Sequence, residues 1–140
     1  MECSAGIGSD DASVQQERCY DVVIVGFGPA SLAQAISLYE HRGGPKNVLI
    51  LDKSNGFVWR GADLPNGRAR MRTNMMQDLV TARNPTSEFT FVNYLWATDN
   101  LVGYTNLGLI NPPRQLFGMY LDWCAKKVSI QLCSPLRASN

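Results

Sequence analysis

Histidine is nearly missing from this chain of 140 residues; His41 is the only one. No Ser-His-Asp or Cys-His arrangement can be built around it, and near a helix end it reads as a surface residue favoured by the helix dipole. The four cysteines, Cys3, Cys19, Cys124 and Cys133, include no C-x-x-C pair. With one histidine beside them, this pattern argues against a structural zinc site. Scattered thiols fit a reducing compartment, so a cytoplasmic location is expected. No apolar run approaches the roughly 20 residues of a membrane span, which argues against a membrane partner. Neither sign of charge dominates: 13 Lys and Arg face 12 Asp and Glu, for a net charge of +1. A broad electrostatic footprint for nucleic acid is therefore lacking. Internal repeats and low-complexity tracts are lacking too. Residues 1–19 have no apolar stretch and carry Asp10 and Asp11. They match neither a secretory signal nor an Arg-rich transit peptide, and a mobile tail is expected there.

What is present suits one globular domain: 45% hydrophobic and 18% charged residues, enough for a core. The domain is expected over 20–133, with 134–140 as a second tail. Val22–Val25, "VVIV", is short, β-branched and wholly apolar, the pattern of a strand buried on both faces of a parallel sheet. It runs into Gly26-Phe27-Gly28-Pro29-Ala30-Ser31. "SLAQAISLYEHRGG" then reads as a helix over 31–42. Leu32, Ala35, Ile36 and Tyr39 share its inner face, and Gly43-Gly44 ends it. "NVLILDK" reads as a second buried strand ending at Asp52. Together these make a βαβ unit with a right-handed crossover.

The turn has the form G-x-G-x-x-S. Gly26 permits the tight bend, Gly28 lets backbone approach a pyrophosphate, and Ser31 is small enough for close helix–strand packing. A pyrophosphate would sit on the helix N-terminus among free N–H groups and the positive dipole end. Asp52, about 20 residues on, is placed for ribose hydroxyls. The competing reading is a buried turn without a ligand. The cradle alone does not choose between FAD and NAD(P).

Residues 54–86 are rich in Gly, Asn, Arg and Pro and read mostly as loop, with a short helix or turn near Met75–Leu79. "SEFTFVNYLWATDN" restores helical spacing, with Ser87 as N-cap. "NPPRQ" breaks it. "QLFGMYLDWCAKKV" is an amphipathic helix through Leu116, Tyr120, Leu121 and Cys124, and "VSIQL" reads as one more strand. Trp96 and Trp123 read as helix-packing residues, and Met75-Met76 as packing. Asp78 reads as a loop or cap residue rather than a catalytic acid. The arginines at 60, 68, 70 and 72 are either a solvated loop or a site for phosphate or an acidic substrate.

"YDVVIVGFGPASLA", "DLVTARNPTSEFTFVNYL" and "YTNLGLINPPRQLFGMYLDWCA" together resemble the lysine/ornithine N-hydroxylating flavin monooxygenases over about residues 20–127. The resemblance implies an α/β Rossmann-type FAD-binding segment, a βαβ start plus a helical region that is incomplete relative to the family. It implies FAD at the first cradle, NADPH at a second cradle, and O₂ activated on the flavin. The product would be an N-hydroxylated side-chain amine of the ornithine or lysine type, in siderophore or secondary-metabolite synthesis. By this resemblance Gly26, Gly28, Pro29, Ala30 and Ser31 hold the pyrophosphate and Asp52 the ribose. Lys53, Phe57, Trp59 and Arg60 line the path from adenosine to flavin. Met71, Arg72 and Gln77 approach flavin and substrate.

Three positions depart from the family pattern. Gln77 stands where members carry a substrate-contacting lysine, Arg72 replaces a flavin-contacting glutamine, and Arg60 replaces a histidine. Glutamine keeps a hydrogen bond to a carboxylate but brings no charge, so another amine substrate, or lost activity, fits as well. The sequence holds one glycine cradle, and the NADPH cradle and closing FAD segment of the family are not in it, so a truncated or fragmentary form is expected. The rival reading is a non-catalytic relative that binds nucleotide weakly, or only a partner chain. Self-association stays open.

Overall fold

The computed structural model describes residues 19–41, 47–54, 56–59, 69–132 and 137–138. Residues 1–18 of the expected tail 1–19, the Gly43-Gly44 helix stop, Arg60 and Arg68 lie outside the described residues.

Strand β1 (Val22–Val25) pairs in parallel with β2 (Val48–Asp52), in the register Val22↔Val48 to Val25↔Leu51. The backbone N–H of Asp21 extends the pairing to Asn47 O at 2.9 Å. Helix α1 (Pro29–Glu40) makes the connection. It starts two residues earlier than its hydrophobic stripe suggests, because Pro29 occupies the first turn, where a missing N–H costs nothing. Leu32, Ala35 and Ile36 are buried as expected. Tyr39 is not fully buried; its ring meets Phe89 edge-on at 5.8 Å.

The expectation that β1 is buried on both faces is corrected. Ile24 is buried, but Val23 and Val25 are 51% and 82% exposed. Helix α1 and the long helix that begins at Arg114 pack together on the Ile24 side, and among the described residues no element covers the other face.

The helix expected over 87–100 is shorter, α2 (Phe91–Ala97), and a second short helix, α3 (Leu101–Asn106), follows it. The N-cap is Thr90, whose side chain accepts the Asn93 N–H at 3.1 Å, and not Ser87. Phe89 and Phe91, two residues apart, are both fully buried, which suits an extended entry rather than a helical one. Ser87 Oγ instead accepts the Phe89 N–H at 3.0 Å within the preceding turn. Trp96, expected in the packing, is 70% exposed. Trp123 is half-buried and meets Tyr94 and Phe89.

Helix α4 (Arg114–Leu132) runs straight through the expected strand "VSIQL". Val128 is fully buried and continues the stripe of Phe117, Tyr120, Leu121, Cys124 and Ala125. Extending a helix already nucleated adds one hydrogen bond per residue, so the stripe overrides a local alternation. Tyr120 ties the core together: its hydroxyl donates to Phe89 O at 2.9 Å and accepts the Leu79 N–H at 3.3 Å. Beyond α4, β3 (Arg137–Ala138) pairs in parallel with β2, so part of the stretch 134–140 expected as a tail belongs to the sheet. The sheet order is β1-β2-β3.

The 69–84 segment is turns, without a helix at 75–79. Asn74 Oδ1 accepts the N–H groups of Met76 (2.8 Å) and Gln77 (3.2 Å), an Asx-type turn. Met71 N–H to Pro112 O at 2.8 Å and Arg114 N–H to Ala69 O at 2.9 Å pin its start to the head of α4. Asp78 has the expected cap role, accepting from Val80 N–H, Thr81 N–H, the Thr81 hydroxyl and Phe91 N–H at 2.6 to 2.9 Å.

Candidate functional site

The C-terminal ends of β1 and β2 and the N-terminus of α1 meet around a cleft of about 400 Å³. Its lining is Gly26, Phe27, Gly28, Asp52, Lys53, Ser54 and Val58. Open α/β sheets bind ligands at this position, outside the carboxyl ends of the strands.

The two glycines have different reasons to be glycine. Gly26 has φ +88°, a conformation that side chains disfavour. Its N–H donates to Leu51 O at 2.7 Å, locking the bend to β2. Gly28 has φ −94°, which any residue adopts. A Cβ there would meet no protein atom within 4 Å. Neither backbone conformation nor packing demands glycine at 28. Gly28 is also the N-cap of α1 and provides no side-chain cap. The first-turn N–H groups, with Pro29 giving none, are thus left for solvent or a ligand. An anionic group such as a dinucleotide pyrophosphate fits this arrangement.

Asp52 ends β2 and reaches back to the turn. Its Oδ2 accepts the Phe27 N–H at 2.6 Å, and Oδ1 accepts the Ser54 N–H at 2.7 Å. The Ser54 and Phe27 amides, with Ser54's side chain and the Lys53 charge adding, hold its carboxyl below the usual carboxylate range, against a smaller opposing effect of burial. Asp52 is thus an anion at neutral pH with each oxygen engaged by a backbone N–H.

The structure brings Gly26, Gly28, Asp52 and Lys53 into one cleft, with Pro29, Ala30 and Ser31 opening the helix at its edge. Phe57 lies beside it, edge-on to the buried Phe27 ring at 5.5 Å. Trp59 sits farther along, against Phe117 at 6.0 Å and under the Arg114 guanidinium at 5.7 Å. Met71, Arg72 and Gln77 are not among the cleft's lining residues. Met71 is partly buried and its carbonyl accepts the Asn111 side-chain amide at 3.1 Å. Arg70, Arg72 and Gln77 are exposed. Gln77 turns its Oε1 back onto the Asn74 N–H at 3.2 Å. Phe27, Ser54 and Val58 are cleft residues that sequence reasoning passed over. The clue for Phe27 is a large apolar residue between two glycines, which needs a place in the core.

A parallel βαβ unit, with a glycine turn feeding a helix N-terminus and an acid closing the next strand, defines the chain as a Rossmann-type α/β segment. Residues 18–133 match the family model described as L-lysine 6-monooxygenase/L-ornithine 5-monooxygenase. The chain belongs to that family. An L-ornithine N(5)-oxygenase of Arthrobotrys oligospora is 41% identical over 133 residues, covering 89% of this chain and 27% of the relative. An ornithine N-hydroxylase structure from Kutzneria sp. 744, described with reduced FAD, NADP⁺ and L-ornithine, superposes with a TM-score of 0.74 at 35% identity. That match covers 80% of this chain and 26% of the other. A cadaverine monooxygenase of Erwinia amylovora bound to FAD gives 0.73 at 27% identity, covering 86% and 26%. The chain thus spans about a quarter of the length of the relatives it matches.

Proposed function

We propose that this chain supplies the FAD-binding cleft of an N-hydroxylating monooxygenase acting on a side-chain amine of the ornithine or lysine type. The cleft at Gly26, Gly28 and Asp52 carries the reading, because its open space adjoins an uncapped helix N-terminus. The Ala30 and Ser31 N–H groups face the pyrophosphate, and Gly28 gives it room. Asp52 and Lys53 flank the adenosine ribose. Phe57 and Trp59 line the way toward the flavin ring, and Met71, Arg72 and Gln77 approach the ring and substrate. Bound FAD supplies the redox chemistry, taking reducing equivalents from NADPH and using O₂ as oxygen source. NADPH is held by parts of a family-length chain outside these residues. The neutral Gln77 meets a substrate carboxylate by hydrogen bonding alone, so the advantage of ornithine over an amine without a carboxylate is reduced.

Ligand competition tests the reading. FAD should bind the purified chain with a change in flavin fluorescence, and ADP, which shares its pyrophosphate and adenosine, should displace it. FMN, which lacks both, should not. Binding of FMN as tight as that of FAD, or no displacement by ADP, contradicts the assignment.

A further inference from the structure

The two hydrogen bonds to Asp52 suggest a task for it beyond the ribose, one that rests on reading the cleft as a nucleotide site. Gly26, with φ +88° and no side chain, is the loosest point of the turn. Three tethers hold the turn in place. The Gly26 N–H donates to Leu51 O, and the Phe27 ring is buried against Phe57. The third is the charge-assisted bond from the Phe27 N–H to Asp52 Oδ2, at 2.6 Å across 25 residues of sequence. Among the described residues, only this third tether holds the N–H of the Gly26–Phe27 peptide and so fixes that peptide's orientation. A flip of the Gly26–Phe27 peptide would turn the N–H away from Asp52 and point the Gly26 carbonyl oxygen elsewhere. A carbonyl oxygen swung toward the cleft would face the pyrophosphate with a partial negative charge. Ser54 N–H on Oδ1 holds the carboxylate so that Oδ2 stays on the turn.

We propose that Asp52 is a positioning residue of the glycine turn, clamping the Gly26–Phe27 peptide in its anion-accepting orientation, and that this clamp, more than a ribose contact, makes the cleft competent.

The test uses Asp52→Asn in the 140-residue chain, with circular dichroism confirming the fold and two ligands, ADP and 2′,3′-dideoxy-ADP. If Asp52 acts through the turn, the substitution weakens both by the same factor, about tenfold for one charge-assisted bond. If it acts through the ribose, ADP weakens while the dideoxy analogue binds variant and wild type alike, and the proposal is overturned. A second readout needs no ligand. In ¹H–¹⁵N spectra the Phe27 amide proton of the wild type should lie downfield and exchange slowly. Asp52→Asn should shift it upfield and speed its exchange, and Asp52→Glu should restore part of both. A Phe27 amide unchanged by Asp52→Asn overturns the clamp whatever the ligands do. If the wild type binds neither nucleotide, the nucleotide reading of the cleft fails, and the amide alone decides the clamp.

Discussion

Asp52 Oδ2 accepts the backbone N–H of Phe27 at 2.6 Å, joining the end of the second strand to the middle of the glycine turn. The bond makes folding sensitive to acid. The Ser54 and Phe27 amides depress the Asp52 carboxyl, so its stabilising effect is fully present above the ordinary carboxylate range. It is lost as pH falls through the lowered value in the folded state. Lys53, beside it, acts in the same direction. The wild type should therefore melt above Asp52→Asn at pH 7, and the gap should narrow as pH falls below the ordinary carboxylate range. A gap that stays constant from pH 7 to pH 3 would show that the carboxylate's charge plays no part.

Gly26 and Gly28 should separate under substitution. Gly26→Ala forces a side chain to φ +88° and should cost on the order of 1–2 kcal/mol, read as a lower urea midpoint. Gly28→Ala meets no protein atom and should leave the midpoint within about 0.5 kcal/mol of wild type. Equal losses at both positions would contradict the division of roles.

Tyr120 is fully buried, with its hydroxyl between Phe89 O and the Leu79 N–H. Tyr120→Phe leaves that N–H without its acceptor and weakens the tie on Phe89 O, which Cys124 Sγ also approaches at 3.7 Å. The expected cost is about 1–3 kcal/mol in chemical denaturation, with an unchanged slope. A neutral substitution would mean that the 79–89 segment is held by packing alone.

At Gln77 the prediction concerns substrate. In a chain extended to the family's full length, Gln77→Lys should lower the KM for ornithine about 10- to 100-fold, the scale of one charge-assisted hydrogen bond. It should leave turnover of a carboxylate-free diamine unimproved. Efficient ornithine hydroxylation with Gln77 in place would refute this.

The β1–α1–β2 unit was legible because its signals are local: an apolar β-branched run, a glycine bend, a helical stripe and a closing acid. What was not legible depended on partners far away in sequence. Thr90 outcompetes Ser87 as a cap because Asp78 grips the Phe91 N–H from 13 residues away. "VSIQL" alternates like a strand, yet Val128 belongs to a helix stripe that begins at Phe117. A two-residue strand such as Arg137–Ala138 carries no periodicity to read. The same holds within the site. The residue types at Gly26, Gly28 and Asp52 were visible in the sequence, but the engagement of both Asp52 oxygens by backbone appears only once the strands are paired.

The exposed Val23 and Val25 on β1, together with Trp96, Val102 and Ile110 on the helical side, leave apolar surface at two places on this chain. Such surface promotes association. The isolated 140 residues should elute larger than a monomer at micromolar concentration, and Val25→Glu should shift them toward the monomer. With no second cradle for NADPH in these residues, the isolated chain should also fail to oxidise NADPH when an amine is added. A monomer at all concentrations, or amine-dependent NADPH oxidation, would contradict these expectations.

The central claim is that the space beside Gly28 belongs to the pyrophosphate of FAD. Equilibrium titration of FAD into wild type and Gly28→Val, with circular dichroism on both, tests it most directly. Because a Cβ at 28 meets no protein atom within 4 Å, the variant should keep the wild-type spectrum. Its FAD affinity should fall by more than about 100-fold, since the branched side chain fills ground the ligand needs. A folded Gly28→Val chain that binds FAD as tightly as wild type would contradict the account.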